Sequence, residues 1–278
     1  MLPRPPFVSS RSRALQGART GFTLIELLVV AAIIVILLAL AVPALSTKKA
    51  ADLSNATYEI QGALEMARSY AVANHTYTWV GFFEEDASKP SAQPAASGIG
   101  RVVIVTVASR DGTSIFNEAA AETTGTSLPS VQPLRGSGLV QVGKPIKLEN
   151  IHICTPRNTS AAFTNRPGNL LEAKDRVGLS NGGDPLLFTF QYPLNSPSAQ
   201  YTFGIRPAPV KNGLAAPSGI VMFNPQGEAI SDTGPVPGVA TCKEIAIQTT
   251  HGTAPDPGTN AAAIDINGLT GQATIYRP

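Results

Sequence analysis

The apolar and polar positions divide this chain into a helical start and a strand-rich remainder. Between Phe22 and Val42 the only residues of marked polarity are Thr23 and Glu26. As a helix at ~1.5 Å per residue this run is about 31 Å long, close to the ~30 Å hydrocarbon thickness of a bilayer. Beyond Pro43 the pattern changes. Leu53, Ala56, Ile60, Leu64, Ala67 and Ala71 recur at three- and four-residue intervals, which is one amphipathic stripe. Asp52, Asn55, Glu59, Glu65 and Arg68 occupy the opposite face, and Lys48 and Lys49 stand where lipid gives way to water. A proline inside a helix removes a hydrogen bond and clashes with the preceding turn, at ~3 kcal/mol in a soluble helix. Because the helical period resumes after Pro43, a kink is expected there rather than an end. The spacing thus predicts a helical segment over 22–75, membrane-spanning over 22–43 and stopping at Asn74-His75.

From Thr76 the period shortens to that of strands. Thr76 to Phe83 is β-branched and aromatic, and Arg101 to Val107 is apolar enough for a central strand. Further strands are expected at 138–142, 146–154, 186–192, 220–223, 245–248, 262–266 and 272–276. Turn chemistry falls at Asp111-Gly112, Asn224-Pro225-Gln226-Gly227 and Asn267-Gly268. Residues 84–100, 155–185 and 193–218 read as loops, with Glu84-Glu85-Asp86 as a solvated acidic stretch. The fold class is α+β: a long N-terminal helix followed by an antiparallel β-rich domain over 76–278.

Charge alters the picture at the N-terminus. Arg4, Arg11, Arg13 and Arg19 precede the apolar run without any acid, so the N-terminus stays cytoplasmic and the rest crosses. Glu26 is the anomaly, because an ionised carboxylate in hydrocarbon costs about 2.5–3.5 kcal/mol even on lenient insertion scales. A cation nearby offsets that cost, and cleavage after Gly21 creates one, the α-amino group of Phe22.

Gly21-Phe22-Thr23-Leu24-Ile25-Glu26, with the apolar run behind it, resembles the leader signal of type IV pilins and type II secretion pseudopilins. The resemblance implies that residues 1–21 are a leader, cut after Gly21 by a membrane prepilin peptidase that also methylates Phe22. It implies that Glu26 registers each subunit in a filament, and that Pro43 is the kink many pilins carry. A lollipop architecture follows: helix plus periplasmic domain, in the bacterial inner membrane. The implied partners are other pilins or pseudopilins and an inner-membrane assembly platform with a separate ATPase. A second, looser resemblance lies in Ile220 to Gly227, Glu244 to Ile247 and Gly268 to Ile275. These look like the end of the GspH/FimT branch, where a Phe-x-x-Gly turn precedes strands ending in a Thr-Gly hairpin. Ala67 to Asn74 also resembles that branch. The implied role is a minor pseudopilin, with a FimT-like minor type IV pilin for adhesion or DNA uptake as the alternative.

Composition narrows the remaining chemistry. The leader holds four of the 21 basic residues, so the mature chain carries 17 (21 less 4) against 19 acids, and the basic pI reflects the leader. Charged residues are only 14% while Gly and Pro number 25 and 23, which suits an exported, loop-rich β domain. Cys154 and Cys242 each lie beside a strand-like run; past the inner membrane they form a disulfide or remain two buried thiols. Gly138 to Lys144 fits the first positions of a phosphate loop, but Pro145 replaces the magnesium-binding Ser/Thr. His75, His152 and His251 are scattered, with no metal-ligand spacing, and no calcium loop is present. No nucleophile motif appears, so neither catalysis nor a cofactor is expected. Near the C-terminus Arg277 is the lone base, and one phosphate contact is too little for nucleic acid.

Overall fold

The computed structural model describes residues 23–113, 138–154, 177, 189–196, 198, 200–204, 218–231, 238–239, 242–256 and 260–277, with backbone alone for 38–50, 189, 204, 218, 231, 238 and 239. By compactness the chain divides into two units, 1–46 and 47–278.

Helix α1 spans Leu24–Asn74 and runs through Pro43 without a break in its backbone assignment. All six apolar positions of the sequence stripe, Leu53 to Ala71, are buried, joined by Thr57 and Ala63. The helix ends where the sequence places its stop, through a Schellman motif. His75 takes a left-handed φ of 49°. Its N–H bonds Val72 O at 3.4 Å, and the Thr76 N–H bonds Ala71 O at 3.0 Å, so two carbonyls of the last turn are satisfied.

The second unit is an antiparallel sheet built around that stripe. Its strands are β1 (Thr78–Asp86), β2 (Gly100–Ser109), β3 (Leu139–Ile153), β6 (Ser218–Phe223), β7 (Ala229–Ser231), β8 (Gly238–Val239), β9 (Cys242–His251), β10 (Ala254–Pro255), β11 (Ala261–Asn267) and β12 (Ala273–Tyr276). β4 (Thr189–Tyr192) and β5 (Tyr201–Gly204) form a separate hairpin. The spatial order is β12-β11-β9-β3-β2-β1-β6-β7-β8, with β10 on β9. The sheet curls until its two ends meet: the Ala229 N–H beside β6 donates to Gly268 O, in the turn between β11 and β12, at 2.7 Å. Alternation along each strand then separates two cores. Val80, Phe82, Val102, Ile104, Ile245, Ile247 and Ile264 face the stripe of α1. Trp79, Phe83, Val103, Val105 and Met222 face the other way, under Phe190, Tyr201 and Phe203 of the β4–β5 hairpin.

Side chains of α1 close an edge of the sheet. Gln61 donates to Ala273 O at 3.1 Å, and Glu65 accepts the Ala273 N–H at 3.4 Å. The edge-facing backbone groups at the start of β12 are thereby satisfied by side chains of α1.

Three expectations need correction. First, the strands expected at 138–142 and 146–154 are one continuous β3. The register shift between Ile104 and Thr106 of β2 absorbs Gly143-Lys144-Pro145 as a bulge, with Gly143 at φ 75°. Second, β1 continues through the acidic stretch 84–86, and Glu84 and Glu85 are buried rather than solvated, because each meets a donor or cation from β2 and β3. Third, the stretch 193–218 is not loop throughout: β5 lies in it and supplies two of the largest buried aromatics. For the cysteines the two readings stand as alternatives, and the described residues carry thiols. Both are buried and no disulfide joins them. The Cys154 N–H bonds Ala246 O, four residues along β9 from Cys242. At ~3.3 Å per residue that is about 13 Å, beyond the roughly 7 Å a disulfide spans between Cα atoms.

Glycine at 81 is required by the outer core. A Cβ there would lie 2.6 Å from Phe190 and 2.7 Å from Phe203, both fully buried. Gly62, on α1, would meet nothing within 4 Å. Gly81→Ala is therefore expected to lower stability by about 1–3 kcal/mol through overpacking. Gly62→Ala should raise it by about 0.5–1 kcal/mol through backbone entropy. Denaturant midpoints of the full chain in detergent check both; equal effects would contradict the assignment.

Candidate functional site in the N-terminal segment

The start of α1 is closed by a reciprocal pair. The Thr23 N–H donates to Glu26 Oε2 at 2.9 Å and the Thr23 hydroxyl to the same oxygen at 3.0 Å. The Glu26 N–H donates to Thr23 Oγ1 at 3.3 Å, and the Leu27 N–H to Thr23 O at 3.2 Å. This is a capping box, Thr-x-x-Glu, which satisfies N–H groups that have no partner inside the helix. It also sets a negative charge at the positive end of the helix dipole. Charge alone marks Glu26 as a carboxylate that needs an amine and does not single out Thr23. The signal was present, since threonine three residues before a glutamate at the head of an apolar run is the capping pattern.

Behind the box, every large apolar side chain described between Leu24 and Leu37 is 49–84% exposed. Among the described residues no helix is long and apolar enough to cross a membrane. The side chains of 38–50, which include the end of the expected span and Pro43, lie outside the described set, as do Gly21 and Phe22.

The two C-terminal motifs come together in space. Gly227 (φ 82°) ends the Asn224-Pro225-Gln226-Gly227 turn, and Gly271 (φ 64°) ends the Thr270-Gly271 turn. A Cβ on Gly271 would collide with Gly227 O, and Arg68 of α1 lies over both glycines. Asn224 Oδ1 accepts the Gln226 and Glu228 N–H groups at 3.0 and 2.9 Å, which shapes the first turn. Sequence spacing could not join these turns, which lie 44 residues apart (271 less 227).

The remaining candidates are placed apart from this segment. His75 caps α1, His152 bonds Glu84, and His251 is exposed at the end of β9. Among the described residues no three His, Cys, Asp or Glu side chains gather as a metal site. Lys144 sits in β3, without the helix a phosphate loop needs. Arg277 is engaged on α1, donating to Ser54 Oγ at 3.0 Å.

Comparison with known proteins yields one family model, the prokaryotic N-terminal methylation motif, which matches residues 17–42. No curated protein and no solved structure matches the chain. The matched segment contains Gly21, Phe22, the Thr23–Glu26 box and most of the apolar run. The chain thus carries a prepilin-type processing motif at its N-terminus.

Thr23→Val removes the hydroxyl and keeps the shape. The Glu26 amide should then lose about fivefold of its exchange protection in micelles, the scale of a lost N-cap. Unchanged protection would mean that the box does not hold the helix end.

Proposed function

We propose that this protein is a minor pseudopilin of the GspH/FimT type, a structural subunit of a type II secretion pseudopilus. The observation that carries this reading is the coincidence of the methylation motif at 17–42 with an apolar helix start whose described side chains are exposed. A helix of this kind needs lipid or like helices around it. On this reading residues 1–21 are a leader, prepilin peptidase cuts between Gly21 and Phe22, and the new amino group is methylated. Residues 22–43 lie in the inner membrane, with the N-terminus cytoplasmic and the domain over 76–278 in the periplasm. Pro43 kinks the helix.

Glu26 then has two successive partners. Within one subunit Thr23 holds its carboxylate at the helix end. In a filament the Phe22 amine of a neighbour takes it over and sets the axial register. Transfer from lipid to the filament, driven by an assembly platform and its own ATPase, buries the apolar helix among like helices. The GspH/FimT assignment draws support from Gly227 and Gly271. The turn from Phe223 to Gly227 and the Thr270-Gly271 hairpin meet under Arg68, so both motifs serve one junction between α1 and the sheet ends.

Protein from the native host should begin at Phe22 and carry an N-methyl group by mass spectrometry; a chain beginning at Met1 would sink the reading. Glu26→Ala should still be cleaved but enter filaments at a small fraction of the normal level, read by shearing and immunoblot. Normal incorporation would remove the registering role of Glu26.

A further inference from the structure

A carboxylate and an imidazole are buried together where β1, β2 and β3 converge. Glu84 has no exposed surface. Its Oε1 accepts the Gly100 N–H at 2.9 Å, and its Oε2 accepts the Ile153 N–H at 3.3 Å. His152 Nδ1 lies 2.9 and 3.1 Å from the two oxygens. β2 begins at Gly100, and its register with β3 shifts between Gly100 and Arg101. The Cys154 N–H turns toward β9, donating to Ala246 O, so the Ile153 N–H points to the side where β2 has run out. The Glu84 carboxylate stands in for the missing strand.

The charges around this pair come from every neighbouring element. β1 adds Glu85 and Asp86, β2 adds Arg101, and β3 adds Lys147 and Glu149. Lys89 comes from the following loop, and His251 lies exposed beside Gly252, whose carbonyl abuts Gly100. Arg101 binds Glu85 at 3.0 Å and Glu149 at 2.8 Å, and Lys89 binds Asp86 at 3.3 Å. Lys147 donates to Ser91 Oγ at 3.1 Å, and Ser91 in turn bonds Glu85. Four carboxylates, Glu84, Glu85, Asp86 and Glu149, thus face three permanent cations, Lys89, Arg101 and Lys147. The fourth cation is His152 when it is protonated.

We propose that Glu84 and His152 form a pH-sensitive latch that fastens the corner between β1 and β2, residues 84–101, to β3. The protonated pair is neutral as a whole, whether the proton resides on the imidazole or on the carboxyl. When the pair gives up its proton, one net negative charge remains buried and the corner loosens.

Burial pushes the Glu84 carboxyl up, against hydrogen bonds from His152 and the Gly100 and Ile153 amides that pull it down. An acid raised in the folded state contributes stability that is complete on the acid side and lost as pH rises through its folded value. Glu85 and Asp86 run the other way. For Glu85, burial is outweighed by Tyr201, Arg101, Ser91 and Lys147; for Asp86, the Ser88 hydroxyl leads. Their contributions are present above the ordinary carboxylate range and fade as pH falls through their lowered values. The corner is therefore tightest in mildly acidic solution. This device is independent of the filament reading.

Amide exchange of the full chain in detergent tests it, read as protection factors so that the intrinsic pH dependence cancels. Between about pH 5.5 and about pH 8, protection at Gly98, Gly100 and Ile153 should fall about tenfold, while Ile245 and Ile247 of β9 change less than about twofold. Glu84→Gln keeps an acceptor for the amides but removes the charge that deprotonation leaves buried, so protection should no longer fall as pH rises. Should Glu84→Gln fail to fold, His152→Gln keeps the buried acid without the partner that pulls it down, so the fall in protection should move to higher pH. A flat wild-type profile, a Glu84→Gln variant that keeps the full slope, or a His152→Gln profile that does not move overturns the latch.

Discussion

The larger unit of this chain depends on burying one helical stripe in a curled sheet. Leu53, Ile60 and Leu64 supply apolar bulk, each worth roughly 1.5–3 kcal/mol when fully buried. Between them Ala56, Ala63, Ala67 and Ala71 keep the helix surface low, so strands approach it closely. The sheet must curl to reach both flanks of so narrow a stripe. Its ends consequently meet, Ala229 against Gly268, and the two turns under Arg68 have room only for glycine. The placement of Gly227 and Gly271 follows from that closure.

Three acids collect donors, and for the two that leave water, Glu84 and Glu85, those donors offset the cost of burial. Glu26 faces the head of its own helix and takes the Thr23 hydroxyl and amide. Glu84 takes His152 and two backbone amides. Glu85 takes Arg101 and Ser91. The three differ in what they do. At Glu26 the arrangement is local and leaves the carboxylate exposed. At Glu84 it is tertiary and enclosed, which makes a proton count matter to the sheet.

Both faces of the sheet are filled, and by different means. On the α1 side the fit is between alanines and β-branched residues. On the far side a separate hairpin brings in Phe190, Tyr201 and Phe203, and the sheet yields to them at Gly81. That hairpin rests on the same corner as the latch, since Lys147 lies over the Tyr201 ring, 5.6 Å from its centre. The acidic corner and the aromatic layer are thus neighbours through β3 and β5.

Local period and local capping carried what could be read in advance. The stripe from Leu53 to Ala71 and the stop at Asn74-His75 needed only the 3.6-residue repeat and the residues beside it. The central strand at Arg101 to Val107 needed only its β-branched run. The processing motif from Gly21 to Glu26 is six contiguous residues, and the family comparison finds a prepilin-type motif over the same stretch. What escaped was decided by partners distant along the chain. Glu84 and Glu85 look like surface acids until β2 and β3 bring Gly100, Arg101 and His152 to them. Gly143 to Pro145 looks like a break until β2 absorbs it as a bulge. The cysteines look pairable until the β3–β9 register sets them apart. Charge, bulges and cross-links depend on which strands lie side by side, and no repeat along the sequence encodes that adjacency; burial of a periodic face does not depend on it, and was therefore legible first.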